Sequence, residues 1–137
     1  MKRKFCLFFA LLFTLSVLFS PSVSAEGIVP YNNNTDTTET NFTISDTGEA
    51  RVYVEYEGYP GITTGATITV KIEKRNLLVF WNEVVNDVYY FREESHAETF
   101  VYQLEKTGTY RCTVDYLISG TGGLDDEITF QDTKTYS

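Results

Sequence analysis

The stretch Gly108-Thr-Tyr110-Arg-Cys112-Thr-Val114-Asp-Tyr116-Leu-Ile118 decides the fold of this chain. Tyr110, Cys112, Val114, Tyr116 and Ile118 stand two apart, and Arg111, Thr113 and Asp115 separate them with polar groups. Side chains of an extended strand project alternately to its two faces, whereas a helix returns to the same face every 3.6 residues. A period of two held over this length reads as a strand with one face in a core and the other in water.

The same period recurs upstream. Ala50, Val52, Val54 and Tyr56 alternate with Arg51, Tyr53, Glu55 and Glu57, and Ala66, Ile68, Val70 and Ile72 alternate with Thr67, Thr69, Lys71 and Glu73. Phe42 with Ile44, and Phe100 with Tyr102 and Leu104, give shorter versions, and Ile128 and Phe130 open a last strand reaching to about Tyr136. Turn chemistry separates these runs at Asp46-Thr47-Gly48, at Gly58–Gly65, at Glu105–Gly108 and at Gly120–Asp126. Arg75-Asn76 reads as a tight turn because Asn tolerates positive φ, and Asn86-Asp87 as another, which leaves Val88–Phe91 as a short strand. Leu77 to Trp81 is apolar on both faces: either a strand covered on both sides or one with an exposed aromatic stripe. After residue 25 no apolar residues repeat at helical spacing. Seven to eight strands at this spacing predict an all-β, antiparallel β-sandwich.

The segment from Leu104 to Cys112 resembles the E–F corner and F strand of immunoglobulin-like domains, through Gly108-x-Tyr110-x-Cys112. The resemblance implies that the Tyr110 hydroxyl ties back to upstream backbone as a tyrosine corner, and that Cys112 takes the F-strand cysteine position. The sequence departs from that pattern elsewhere: the B-like strand carries Val52 and Val54 and no cysteine, and Trp81 stands late for the C-strand tryptophan. The chain after residue 25 also resembles a group of small secreted proteins of Gram-positive, Clostridia-type bacteria, through Val29-Pro-Tyr-Asn-Asn, Gly61-Ile-Thr-Thr-Gly65-Ala-Thr-Ile, Lys71-Ile-Glu-Lys and Gly108-Thr-Tyr. That group has no established activity, so the resemblance implies export and a bacterial source and transfers no functional residue.

Export is also legible in the residues. Lys2, Arg3 and Lys4 precede an apolar run from Phe5 to Phe19, Pro21 ends it, and Val23-Ser24-Ala25 offers the small residues of a signal-peptidase site. An apolar run of this length is short of the roughly 20 residues that span a bilayer. The expectation is a signal peptide over residues 1–25, cleaved after Ala25, and a secreted product of 112 residues. Residues 26–40, rich in Asn and Thr, read as a flexible polar leader, and residues 41–137 as one domain. Cleavage would remove three cations and leave eight Lys and Arg against 19 Asp and Glu, a net charge of −11. That sign disfavours nucleic acid and anionic membrane surfaces and suits a cationic partner. Cys112 is the one cysteine after residue 25, so no intrachain disulfide is expected, and its place in an alternating strand predicts a buried, inert thiol, the alternative being an intermolecular bridge.

Little here can carry catalysis. His96 is the single histidine, and the neighbouring Ser95 projects to the opposite face of a strand, which excludes a dyad within the pair. Asp125, Asp126 and Glu127 supply hard oxygen ligands for Ca²⁺ on a loop, yet lack the alternate spacing of an EF-hand. Gly120-Thr-Gly-Gly123 lacks the Lys-Ser/Thr of a phosphate-binding loop. No cofactor is implied. The aromatic residues say most: Tyr53, Tyr59, Trp81, Tyr89 and Tyr90 are candidates for an exposed platform that stacks on a glycan or anchors a protein partner. The leading expectation is a non-enzymatic secreted binding module. The alternative is a structural surface protein that assembles by pairing edge strands.

Overall fold

A computed structural model describes residues 32–137. The proposed signal peptide and the first residues of the proposed leader lie outside this range. Seven strands occur in it: β1 (Thr35–Ile44), β2 (Glu49–Gly58), β3 (Thr63–Asn76), β4 (Phe80–Phe91), β5 (Ser95–Gln103), β6 (Gly108–Gly120) and β7 (Asp126–Tyr136). They form two antiparallel sheets, one ordered β1-β2-β5 and the other β4-β3-β6-β7, which face each other as a β-sandwich. Among the described residues no helix is long and apolar enough to cross a membrane.

Alternation builds the core. Ala50, Val52, Val54 and Tyr56 of β2 meet Ala66, Ile68, Val70 and Ile72 of β3 and Tyr110 to Ile118 of β6 in one buried cluster. The central strands of each sheet supply most of it, because only they have neighbours on both sides as well as a sheet in front. The margins close with aromatic groups. At the open side between β4 and β5, Tyr89 stacks on Phe100 with ring centroids 3.8 Å apart, and its hydroxyl meets that of Tyr102 at 2.9 Å. At the opposite side the Tyr116 hydroxyl reaches Thr40 Oγ1 at 2.5 Å.

Three readings of the sequence change here. The first strand begins at Thr35, so residues 35–40 of the proposed leader belong to the sheet. Asn34 and Thr35 are fully buried. The Asn33 and Asn34 amides donate to the two Asp126 carboxylate oxygens, at 2.7 and 2.8 Å. Second, Arg75-Asn76 is not the turn: both residues pair with β4, and the chain reverses over Leu77–Val79, with the positive φ of 57° falling on Leu77. Third, Asn86-Asp87 does not interrupt β4. Both residues stay in register with β3, and the irregularity lies between Ile72 and Glu73, where Val84 is the extra residue. Asn and Asp are tolerated there because β4 is an edge strand bordered by water.

Candidate binding surface

The five aromatic candidates do not form one platform. Tyr53 lies on the outer face of the three-stranded sheet, level with Asn41 and Thr99. Its hydroxyl donates to Glu55, a bond that, with the carboxylate's charge, pushes the phenol up to about 12. Tyr59 sits in the β2–β3 connection, where its carbonyl accepts from the Ile62 and Thr63 amides at 3.0 and 3.1 Å. Tyr89 faces inward, as the stacking on Phe100 requires, and burial raises its hydroxyl pKa. Only Trp81 and Tyr90 share a face, the outer one of the four-stranded sheet, and nine residues of strand separate them, about 30 Å. Trp81 is packed under guanidinium groups: Arg111 lies 4.4 Å and Arg75 5.2 Å from its ring centroid. Two bonds to Glu73, at 2.9 and 2.6 Å, fix Arg111 there. Cation–π contact of this kind holds the indole in place.

The remaining candidates are engaged within the domain. Asp126 is buried and accepts the two backbone bonds described above, while Asp125 and Glu127 are exposed. Among the described residues no three His, Cys, Asp or Glu side chains group as a metal site. The glycines of the β6–β7 loop serve close packing: a Cβ at Gly120 would collide with the Asn34 side chain, and one at Gly122 with the Asn33 carbonyl. Tyr110 Oη donates to the carbonyl of Lys106, four residues upstream. Cys112 is buried and unpaired, and burial, aided by the nearby Asp132 charge, pushes its thiol up to about 12. His96 stacks on Phe91 at 3.9 Å and lies between Glu93 (2.7 Å) and Glu98 (3.2 Å).

What the aromatic count did not indicate is the β3–β4 hairpin. Leu77, Leu78, Val79 and Phe80 are consecutive, and each is between 63% and 87% exposed. The pairing of β3 with β6 stops at Lys74, while its pairing with β4 runs on to Asn76 and Phe80. β6 itself continues to Gly108, paired with Tyr136 of β7 and level with Asn76, so it is the turn Leu77–Val79 that projects past the sheet. A leucine in the left-handed region costs of order 1 kcal/mol, where Gly or Asn would cost little. Behind the turn a cavity of about 620 Å³ opens at this end of the sandwich, lined by Lys74, Arg75, Gln103, Glu105, Lys106 and Tyr110, among others.

Charge is segregated along the strands. If each strand is divided at its middle, the half bearing this hairpin holds Arg51, Lys71, Lys74, Arg75, Lys106, Arg111 and Lys134 against six acids. The other half holds Arg92 against twelve acids, among them Asp36, Glu57, Glu93, Glu94, Asp125 and Glu127. One end of the described domain is therefore near neutrality or slightly positive, and the other carries the acidity.

The chain matches no known protein family, and comparison with characterised proteins and with solved structures likewise returns no match.

Proposed function

We propose that this chain is a secreted, non-enzymatic binding module that docks through the β3–β4 hairpin end of an immunoglobulin-like sandwich. Four consecutive apolar side chains held in water at the hairpin tip carry this reading. Leaving water stabilises a Leu, Val or Phe side chain by about 1.5–3 kcal/mol, so a surface that covered the tip would gain several kcal/mol. Large exposed apolar patches on soluble domains mark interaction sites. The sequence of residues 1–25 supports export, and the Gly-x-Tyr-x-Cys corner with its Tyr110–Lys106 bond supports the immunoglobulin-like assignment. The test compares binding of purified protein to intact Gram-positive cells and to a glycan array, for the natural chain, Leu78→Asp and Tyr53→Ala. Loss in Leu78→Asp, with unchanged melting and with Tyr53→Ala still bound, is the expected result. Equal binding by all three overturns the reading.

A second reading rests on β4. It is a 12-residue edge strand, and Val84, Val88 and Tyr90 on it are exposed. An unpaired edge of this length is a template for another strand, which favours self-assembly. Concentration-dependent elution on a sizing column that Val88→Lys abolishes would support it. A monomer at all concentrations would remove it.

A further inference from the structure

Resting on the hairpin-end reading, we propose that the partner is an anionic lipid bilayer, entered by the Leu77–Phe80 tip while the cations behind it meet lipid phosphates. Three independent features converge on this. The tip is apolar without a polar interruption, as an element leaving water for hydrocarbon needs to be. Lys74, Arg75 and Lys106 line the cavity behind it against one carboxylate, Glu105, a local excess of positive charge where headgroups would lie. Trp81 follows the tip directly, at the level where indoles settle between hydrocarbon and water.

Net acidity does not oppose this arrangement, because it sits at the far end. A ten-residue strand spans about 33 Å, and the screening length at physiological ionic strength is about 8 Å. The twelve acids of the far half are therefore mostly two or more screening lengths from the surface, and the six acids of the near half, Glu105 among them, are offset by its seven cations. The same polarity orients the molecule, hairpin towards an anionic surface and acidic end away. A protein groove would also take an apolar tip, and a free phosphate would also suit the cavity. Neither accounts for the apolar tip and the cations behind it together.

The chain contains a single tryptophan, Trp81, which serves as the native reporter. Purified protein is titrated with vesicles of phosphatidylcholine alone and of phosphatidylcholine with phosphatidylglycerol, following Trp81 emission and co-sedimentation. The expected result is partition and a blue shift with the anionic vesicles only, weakened by salt. Each basic residue near such a surface is worth about a five-fold change in partition, so the triple variant Lys74→Gln/Arg75→Gln/Lys106→Gln loses about 100-fold. Leu78→Asp, at a site 87% exposed, abolishes the blue shift without lowering the melting temperature. Equal partition into neutral vesicles, no partition into anionic ones, or a full shift with inorganic phosphate alone overturns the lipid assignment. If vesicles fail while Leu78→Asp still loses cell binding, the hairpin reading stands and its partner is a protein or glycan. If Leu78→Asp keeps all binding, both fall.

Discussion

Replacing Asp126 by Asn tests how the start of the domain is held. Both carboxylate oxygens accept backbone amides, from Asn33 at 2.7 Å and Asn34 at 2.8 Å, and the second bond is fully buried. The substitution keeps the shape but turns one acceptor into an NH₂ donor facing an amide. A hydrogen bond to a charged group is worth about 1.5–3 kcal/mol net, and an orphaned buried donor costs about 1–3 kcal/mol. Water recovers part of the loss at the half-buried Asn33. The expected destabilisation is therefore about 2–4 kcal/mol, since one bond survives in weakened, neutral form. For a domain near 100 residues this lowers the melting temperature by roughly 8–16 °C. Urea unfolding followed by circular dichroism supplies the free energy. Amide exchange should show protection lost first at Asn33, Asn34 and the start of β1. A loss below about 0.5 kcal/mol, the size of an ordinary surface change, would refute the argument that this carboxylate is a clasp.

Three further outcomes follow from the geometry. Tyr89→Ala removes the ring stacked on Phe100 and should cost about 2–3 kcal/mol, less than a fully buried aromatic, while Tyr89→Phe should cost about 1 kcal/mol through the bond to Tyr102; equal effects in chemical denaturation would contradict this division. Burial opposes the charge on His96, but hydrogen bonds to Glu93 and Glu98 outweigh it and raise its pKa above the ordinary 6.5. The protonated ring therefore stabilises the fold fully below pH 6.5, and that contribution is lost as pH rises through the folded-state value; an NMR midpoint at or below 6.5 would be the wrong result. Cys112 should resist iodoacetamide at pH 8 in the folded protein and react on unfolding, because its thiol is pushed up to about 12; stoichiometric labelling of the native state would refute its burial.

The strands were legible where a strand has sheet neighbours on both sides and a core in front. For β2, β3 and β6 the alternation Val52/Val54, Ile68/Val70 and Cys112/Val114 names the buried face residue by residue. Legibility failed where burial depends on partners distant in sequence. Asn34 is polar and sits in a polar run, yet it is enclosed because Asp126, 92 residues later, binds its amide. It failed again on β4, where Asn86 and Asp87 carry turn chemistry but lie on a solvated edge that tolerates it. The candidate site was half visible. Five apolar residues from Leu77 to Trp81 cannot alternate between core and water, and that break in period was the available signal. Its resolution needed the register, because one more pair at Asn76 and Phe80 moves Leu77, Leu78 and Val79 from strand to tip. Tyr89 and Tyr90 show the converse: adjacent in sequence, one closes the sandwich margin and the other is 76% exposed.

The enclosed Cys112 belongs to the shared core, and among the described residues the two layers are joined by van der Waals contact and not by a covalent strut. Such a domain has no oxidation step to complete before it matures. Glutathione at cytosolic strength should leave its melting curve where it was, so the same architecture is available on either side of the cell membrane without help from an oxidoreductase.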